Sequence, residues 1–428
     1  MKTNKKSHSL ALASVALILF LVLVSSAASA ATPKITETRI TTNGIAGGTA
    51  IYGNRIVWAD YPTTFGYNGD IYMYDISTKK ETRITSNGSV GVYQYPAIYG
   101  NRIVWADNRN GNGSDIYMYD LSTKKETRIT THESAVGMNP AIYGDRIVWS
   151  DSRNRNEDIY MYDLSTKKET RITNHGSAGT PDIYGNRIVW PDSLNGWKNS
   201  DIYMYDLSTK KETRITNHKS AIETAIYGDR IVWTDSLNGV YNIYMYDIST
   251  HKETQITSKG AVAPDIYGDR VVWDDEGIGP RHIYMYNISD STKIRITTND
   301  SEQEGPKIYG DRIVWIDWRS GMDNPSDIYM ATLSYFPTAD FSASKTSGNA
   351  PLTIAFTDKS TGTPTSWKWT FGDGTSSTKQ NPTHKYSKAG NYTVILTATN
   401  DAGSNTKTLK NYIKVTTNTR PGIYSKNK

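Results

Sequence analysis

The chain of 428 residues is longer than one hydrophobic core usually supports, so at least two domains are expected. It has no cysteine, which excludes disulfides, thiolate metal ligands and cysteine nucleophiles. The formal net charge is +5, and it would be +2 without the three lysines of the first 30 residues. Charge therefore gives no reason to expect nucleic acid or an anionic membrane as a partner.

Residues 1–30 are predicted to be a secretory signal peptide. Three N-terminal lysines precede an apolar run from Leu10 to Val24, and Ala28-Ser29-Ala30 has the small-x-small pattern of a cleavage site. An uncleaved membrane anchor is the alternative, although the apolar run is short for a span. We therefore expect a secreted or cell-surface, extracellular protein with no membrane span after signal cleavage.

An eight-residue string, Ile-Tyr-Gly-(Asn/Asp)-Arg-(Ile/Val)-Val-Trp, occurs seven times at intervals of 40–47 residues. The Gly-Asn or Gly-Asp pair suits a two-residue hairpin turn, because glycine tolerates the positive φ that such a turn needs. Two further segments follow the string, of the types Asp-Ile-Tyr-Met-Tyr-Asp and Glu-Thr-Arg-Ile-Thr, although the last repeat lacks the second of them. They raise the number of strands per repeat to four, the first of them short. The pattern predicts an all-β fold, with a seven-bladed β-propeller of four-stranded blades over residues 31–333.

The fourth-strand segment distinguishes a closed ring from an open solenoid. It is absent after the last repeat, whose third strand begins at Asp327, and an additional copy stands before the first repeat at Glu37–Thr41. We therefore predict that this N-terminal strand closes the seventh blade, which removes exposed sheet edges. The repeats resemble those of TolB-like and WD-type propellers, particularly arrays in archaeal cell-surface proteins, and this resemblance implies the fold but not the chemistry.

A second domain is predicted over residues 334–416. The segments Trp369–Gly374, Asn381–Tyr386 and Ala389–Val394 have the motif order of a PKD domain, which this part of the chain resembles. The resemblance implies an immunoglobulin-like β-sandwich that acts as an extracellular spacer or adhesion module. The polar residues 417–428 are predicted to form a disordered tail.

Residue patterns typical of catalytic or metal sites are few. Each repeat has Trp-x-Asp at the end of its second strand, and a residue repeated in every blade favours a structural role. His132, His175 and His218 recur in successive blades, but equivalent outer positions should lie more than about 10 Å apart, too far for a shared metal. The Asn108–Gly113 loop faintly resembles a calcium loop without its acids, so no cofactor is expected, with calcium as the remaining alternative.

Variation among the repeats is concentrated on one face of the predicted ring. This variable-loop face carries the loops between second and third strands and the connections from fourth to first strands, whereas the opposite turn face carries uniform turns. Because loops on a rigid scaffold usually hold specificity, we select the aromatic residues Trp197, Tyr241 and Trp318 as candidates for stacking on a sugar or anchoring a protein. Phe65 and Tyr67 lie on the same face.

Three charged residues interrupt the repeat close to the predicted central channel. Four repeats have alanine before Ile-Tyr-Gly, whereas the other three have Asp182, Asp265 and Lys307. These are the strongest candidates for binding a ligand or cation, and a local salt bridge is the alternative. Candidate glycosylation sites are Asn87, Asn112, Asn287, Asn299 and Asn391.

The two modules and the lack of a catalytic motif predict a non-enzymatic exported protein. Its propeller face would recognise an extracellular glycan or a surface protein, and its PKD domain would serve as a spacer. One alternative is a carbohydrate-active enzyme, such as a propeller lyase or hydrolase, which requires titratable groups that converge at the axis. The other alternative is a structural component of the cell envelope.

Overall fold

The computed structural model describes residues 32–41, 45–62, 69–91, 95–111, 113–130, 139–153, 156–193, 199–236, 239–275, 279–319 and 326–417. The predicted signal peptide and residues 418–428 lie outside this set, as do Phe65, Tyr67, Asn112, His132 and Trp197. The chain divides into two units after Thr32, and the elements described here belong to the unit that begins at Pro33. No helix in the described ranges is long and apolar enough to cross a membrane.

Seven four-stranded antiparallel sheets form the propeller, and in six of them the strands are ordered as in the sequence. Blade 1 contains β2 (Ile45–Tyr52), β3 (Arg55–Tyr61), β4 (Asp70–Asp75) and β5 (Lys80–Arg83). Blade 2 contains β6 (Ala97–Tyr99), β7 (Arg102–Asp107), β8 (Asp115–Asp120) and β9 (Lys125–Arg128). Blade 3 contains β10 (Ala141–Tyr143), β11 (Arg146–Asp151), β12 (Asp158–Asp163) and β13 (Lys168–Arg171). Blade 4 contains β14 (Asp182–Tyr184), β15 (Arg187–Asp192), β16 (Asp201–Asp206) and β17 (Lys211–Arg214).

The remaining blades differ in the length of the first strand and in the source of the last. Blade 5 contains β18 (Ala221–Tyr227), β19 (Arg230–Asp235), β20 (Asn242–Asp247) and β21 (Lys252–Gln255). Blade 6 contains β22 (Ala261–Tyr267), β23 (Arg270–Asp275), β24 (His282–Asn287) and β25 (Thr292–Arg295). Blade 7 contains β26 (Gln303–Tyr309), β27 (Arg312–Asp317), β28 (Asp327–Ser334) and the N-terminal strand β1 (Lys34–Arg39).

Strand β1 closes the ring, as the sequence predicts. It pairs antiparallel with β28 from Lys34 opposite Ser334 to Arg39 opposite Tyr329. Thr41 then donates its hydroxyl to the Asp327 carboxylate at 3.1 Å and accepts the Ile328 N–H at 2.9 Å. In blades 1 to 4 the threonine that follows the fourth strand makes the same two contacts, so β1 occupies the position of a fourth strand. The strand itself ends at Arg39, before the expected end at Thr41.

The core lies between neighbouring blades and is built on the repeated tryptophans. Each of them is almost fully buried and stacks on a tyrosine of the third strand, with ring centroids 5.8–6.2 Å apart. Apolar side chains from the preceding blade complete each layer, as Val104 and Ile116 do around Trp149. Burying one such ring removes about 200 Å² from water, roughly 5 kcal/mol of transfer free energy before entropy costs.

Arginines at the start of the second strands join each blade to the next. Each donates Nη1–H to the carbonyl of the turn glycine in the following blade at 2.8–3.2 Å, and to the adjacent Asn or Asp side chain at 2.5–2.9 Å. The seven donors are Arg55, Arg102, Arg146, Arg187, Arg230, Arg270 and Arg312. The last of them binds Gly53 and Asn54 of blade 1, so the series closes on itself.

The C-terminal part is a β-sandwich. One sheet has the order β29 (Phe341–Ala343), β31 (Leu352–Asp358), β34 (Thr383–Tyr386). The other has the order β30 (Ser347–Asn349), β36 (Gly403–Thr416), β35 (Gly390–Asn400), β32 (Ser366–Thr370), β33 (Ser376–Ser377). The two sheets enclose a core that includes Trp369, Phe356 and Tyr386.

The sandwich contacts the propeller near the ring closure. The Arg270 guanidinium lies over the Tyr335 ring at 5.1 Å, and Lys34 of β1 donates its ammonium to the Asp401 carbonyl at 3.0 Å. The strand that closes blade 7 therefore also contacts the sandwich, through Lys34.

Deleting residues 31–42 from the chain that lacks residues 1–30 should lower its melting temperature by roughly 10 °C or more, because several kcal/mol of blade 7 contacts are lost. Thermal unfolding followed by circular dichroism measures this change. Deleting residues 418–428 is the matched control and should leave the midpoint unchanged. An unaltered melting curve without residues 31–42 would contradict closure by β1.

Candidate binding face of the propeller

Seven tyrosines form a continuous ring around the propeller axis. Each is the last residue of an innermost strand, and each ring contacts the next at a centroid distance of 4.7–4.8 Å, including the contact between the first and last blades. The members are Tyr52, Tyr99, Tyr143, Tyr184, Tyr227, Tyr267 and Tyr309. Burial and the neighbouring tyrosine raise the pKa of Tyr99 to about 12, so its hydroxyl keeps its proton.

The tyrosine ring was not predicted from the sequence, although the repeated string contains the residues that form it. A tyrosine occupies the same place in every Ile-Tyr-Gly string. It precedes the turn between the first two strands, so the ring lies toward the turn face. Asp182, Asp265 and Lys307 stand two residues before a ring tyrosine and lie on the same side of their strands. They are therefore placed between the ring and the variable-loop face.

The structure places both axial aspartates across blade boundaries. Asp182 accepts the N–H of Ile183 at 2.8 Å and, through its other oxygen, the N–H of Ile226 in blade 5 at 2.9 Å. Asp265 accepts the N–H of Ile308 in blade 7 at 2.8 Å. Each aspartate thus connects two innermost strands, a role that alanine in the other repeats does not provide.

The three axial charges are close enough to act on one another. Burial raises the pKa of Asp182 to about 6, and the charge of Asp265 adds to this effect while Lys307 opposes it. Burial also raises the pKa of Asp265, again opposed by Lys307. Within the described part of the chain, no carboxylate forms an ion pair with the Lys307 ammonium. The axis therefore brings together two carboxyl groups and a half-buried cation that lacks a direct partner there.

The innermost strands differ between the two halves of the ring. They have three residues in blades 2, 3 and 4, as predicted, but seven or eight in blades 1, 5, 6 and 7. The longer strands carry an irregularity four residues before the ring tyrosine, with positive φ at Gly48 (49°), Glu223 (46°), Ala263 (52°) and Gly305 (61°). The prediction of a short first strand is wrong for these four blades, because the pairing continues beyond a β-bulge toward the variable-loop face.

Bulged strands of blades 5 to 7 position a group of charged side chains. Glu223 accepts the Ala263 N–H at 2.9 Å and the Thr234 hydroxyl at 3.0 Å. Glu304 accepts the indole N–H of the predicted candidate Trp318 at 3.0 Å. Together with Asp274 and Arg281, which approach to 3.6 Å, Glu223, Glu304 and Trp318 define what we call the blade 5–7 corner.

Asp274 is the most perturbed carboxyl group of this corner. Its side chain is 1% exposed, and its Oδ2 accepts the Gly305 N–H at 3.3 Å. Among the described residues its Oδ1 has no hydrogen-bond partner. Burial raises the pKa of Asp274 to about 7, with smaller contributions from Glu223 and Glu304 and an opposing one from Arg281. Asp274 therefore titrates near neutral pH.

The Trp-x-Asp aspartates have the structural role expected of them. Five of them accept the indole N–H of their own tryptophan at 2.8–3.2 Å, in blades 2, 3, 4, 5 and 7. In blade 2, Arg109 bridges Asp107 and the fourth-strand Glu126, and in blade 7 Arg319 bridges Asp317 and Glu37 of β1 in the same way. Glu37 thus reproduces the contact of an ordinary fourth strand.

His175 and His218 occupy the corresponding positions in blades 4 and 5. His218 lies 3.0 Å from Asp235 and 3.2 Å from Glu253, and His175 lies 3.6 Å from Glu212. Each histidine therefore contacts acidic side chains of a single blade, His175 in blade 4 and His218 in blade 5. The described residues include no group of three or more His, Asp or Glu side chains arranged to hold a metal ion. The expectation of no cofactor stays a prediction.

Most of the other predicted candidates can be placed. Tyr241 is 39% exposed on the variable-loop face. Asn87 and Asn391 are exposed, whereas Asn287 and Asn299 are partly buried and accept N–H groups of Ser289 and Ser301. In the loop that resembles a calcium site, Asn110 donates to Asp115 and Tyr117 instead.

Comparison with known proteins supports the two-module organisation. Residues 336–415 match the family model described as PKD domain. A stretch of 42 residues, 10% of this chain, is 52% identical to Collagenase ColA of Bacillus cereus and covers only 4% of that protein.

Solved structures are similar to the propeller part. Oligogalacturonate lyase in complex with manganese matches 71% of this chain and 98% of its own, with 14% identity and a TM-score of 0.53. The β-propeller domain of the Trilobed protease from Pyrococcus furiosus matches 67% and 93%, with 13% identity and a TM-score of 0.54. Acylaminoacyl peptidase from Pyrococcus horikoshii matches 74% and 58%, with 12% identity and a TM-score of 0.54. At these identities the likeness shows the fold alone.

These observations define the class of protein. The chain is a seven-bladed β-propeller closed by its N-terminal strand and followed by a PKD domain, as the sequence predicts. Its propeller fold occurs in a lyase and in peptidases, and PKD is a module of the adhesion type.

Substitution Asp274→Asn should flatten the pH dependence of stability. An aspartate in the unfolded chain ionises near pH 4, whereas folded Asp274 keeps its proton to about pH 7. Between these values the folded state binds more protons, so stability falls as pH rises from about 4 to about 7. The variant should therefore lose less stability between pH 5 and 7.5, measured as melting temperature.

The matched control for this experiment is Asp401→Asn, an exposed aspartate of the sandwich. It should retain the pH dependence of the parent chain. A parent-like slope in Asp274→Asn as well would show that Asp274 ionises normally.

Proposed function

We propose that the chain is a non-enzymatic extracellular binding protein whose variable-loop face holds a glycan or a surface protein at the axis. The PKD domain then acts as a spacer or adhesion module. The observation that carries the proposal is the placement of Asp182, Asp265 and Lys307 on innermost strands around the axis, in three of seven otherwise repeated positions, where their charges act on one another.

The chemistry of these groups suits polar recognition. Asp182 and Asp265 are fixed by backbone N–H groups of the next blade, so they are already oriented before a ligand arrives. Lys307 supplies a cation without a direct ion-pair partner in the described residues, and a carboxylate or hydroxyl of a ligand would satisfy it. The tyrosine ring adds hydroxyl groups beyond them.

An extracellular location is part of the proposal. It is supported by the charged and apolar pattern of residues 1–30, by the PKD match and by the similarity of a short segment to a collagenase. The absence of cysteine is compatible with export, because the inter-blade contacts hold the fold without disulfides.

A carbohydrate-active enzyme is the second candidate, and one observation favours it. Asp182, with a pKa raised to about 6, shares the channel with Asp265 and Lys307, so groups able to exchange protons converge there. Against this, both aspartates already accept backbone N–H groups that fix neighbouring strands. Bond cleavage in a bound oligosaccharide, lost in Asp182→Asn, would favour the enzyme.

Lys307→Met should weaken ligand binding at least tenfold, about 1.4 kcal/mol, because the axial cation is removed while the apolar stem is kept. The exported chain is first applied to arrays of glycans and extracellular proteins, and the affinity for each hit is then measured by calorimetry. Lys359→Met, at an exposed position of the sandwich, is the matched control.

Two results would contradict this proposal. One is the absence of any glycan or protein ligand on the arrays for a chain that melts cooperatively. The other is an affinity for the ligand that does not change in Lys307→Met.

A further inference from the structure

We propose that the blade 5–7 corner binds a basic peptide segment of a partner protein, with a lysine or arginine beside its carboxylates and a flanking apolar residue on the adjoining exposed patch. The inference rests on the proposed function of the variable-loop face, but it uses residues other than the axial three. It names the chemistry of a protein partner.

Three exposed apolar residues of blade 5, Ile222, Val240 and Tyr241, form what we call the adjoining patch. Ile222 is 36% exposed, Val240 44% and Tyr241 39%, and they are three of the five large apolar side chains that are exposed in the described ranges. Ile222 directly precedes Glu223, and the Tyr241 carbonyl accepts the N–H of Ala261, two residues before Ala263. Ile222 is therefore next to Glu223 in the chain, and Tyr241 is hydrogen-bonded to the first residue of the bulged strand that carries Ala263.

The corner contains more negatively charged side chains than positively charged ones. The Arg281 guanidinium is held by Glu302 at 2.7 Å and lies 3.6 Å from Asp274. Glu223 and Glu304 accept only uncharged donors among their described contacts, namely Ala263, Thr234 and Trp318. A ligand cation would supply the positive charge that these two carboxylates lack.

The burial of Asp274 is a second indication of a missing group. Its carboxyl group points between the innermost strands of blades 6 and 7, because Oδ2 meets the N–H of Gly305 at the bulge. The side chain is 1% exposed, and Oδ1 lacks a hydrogen-bond partner in the described part of the chain. Buried carboxyl oxygens are normally partnered. A cation bound next to Glu223 and Glu304 would stabilise this buried acid as well.

The combination of charge and apolar surface selects a peptide over other cations. The described residues form no three-ligand arrangement for a metal ion. A basic side chain flanked by an aliphatic or aromatic one presents both features within one or two residues of chain, and aromatic surfaces such as Tyr241 are typical of protein interfaces. Burial of the cation's stem on the patch then adds to the charge interaction.

The experiment uses the exported chain and a capped peptide of alternating leucine and arginine, with binding measured by calorimetry in low and in physiological salt. Glu223→Gln and Glu304→Gln keep the hydrogen-bond acceptors and remove the charges. Each should weaken binding of this peptide about tenfold. The exposed Asp401→Asn serves as the matched control and should leave the affinity unchanged.

Three results would overturn the inference. They are equal binding of an alternating leucine and glutamate peptide, unchanged affinity in both glutamine variants, and binding of neutral oligosaccharides that is lost in those variants. Lys307→Met separates this inference from the axial proposal. It should weaken the axial ligand only, so each of the two proposals can fail while the other stands.

Discussion

The structure depends on one contact repeated around a circle, the arginine that starts each second strand and binds the turn of the next blade. The turn glycine presents its carbonyl because it adopts a φ near +60°, for example 61° at Gly53 and 60° at Gly144. An L-residue with a side chain costs roughly 1–2 kcal/mol there, so glycine is favoured. Arg312 finds its acceptors at Gly53 and Asn54 only if blade 7 meets blade 1. Complete pairing of the seven arginines therefore requires a closed ring.

This contact also explains why the two faces of the propeller differ. The turn face contains the arginine contacts and the tyrosine ring, and both need the same residues in all seven blades. Positions nearer the variable-loop face have no such requirement, so Asp182, Asp265 and Lys307 can replace alanine without loss of a repeated contact. The two aspartates even add bonds across blade boundaries. Uniformity at one face thus permits variation at the other.

Much of the fold, and part of the candidate site, could be predicted from the sequence. The eight-residue string and the displaced copy at Glu37–Thr41 were sufficient for blade number and closure, because each repeat forms one sheet. The bulges at Glu223 and Ala263 were not predicted, since they lie in the variable connections where one added residue changes pairing without changing the string. Asp274 was missed for a related reason. Its burial and its approach to Gly305 arise between blades, which no pattern within one repeat reveals.

The same bulge that shapes the blade 5–7 corner also limits how its residues can change. Blades 1 and 7 have glycine at the positive φ, whereas blades 5 and 6 have Glu223 and Ala263, where an L-residue costs roughly 1–2 kcal/mol. The Glu223 carboxylate accepts the N–H of Ala263, so one hydrogen bond joins the two strained positions. Glu223 is thus both a support of the local backbone and an exposed charge. Strain kept at a surface carboxylate is typical of positions retained for a purpose other than stability. A substitution that preserves this bond and removes only the charge is therefore the informative one.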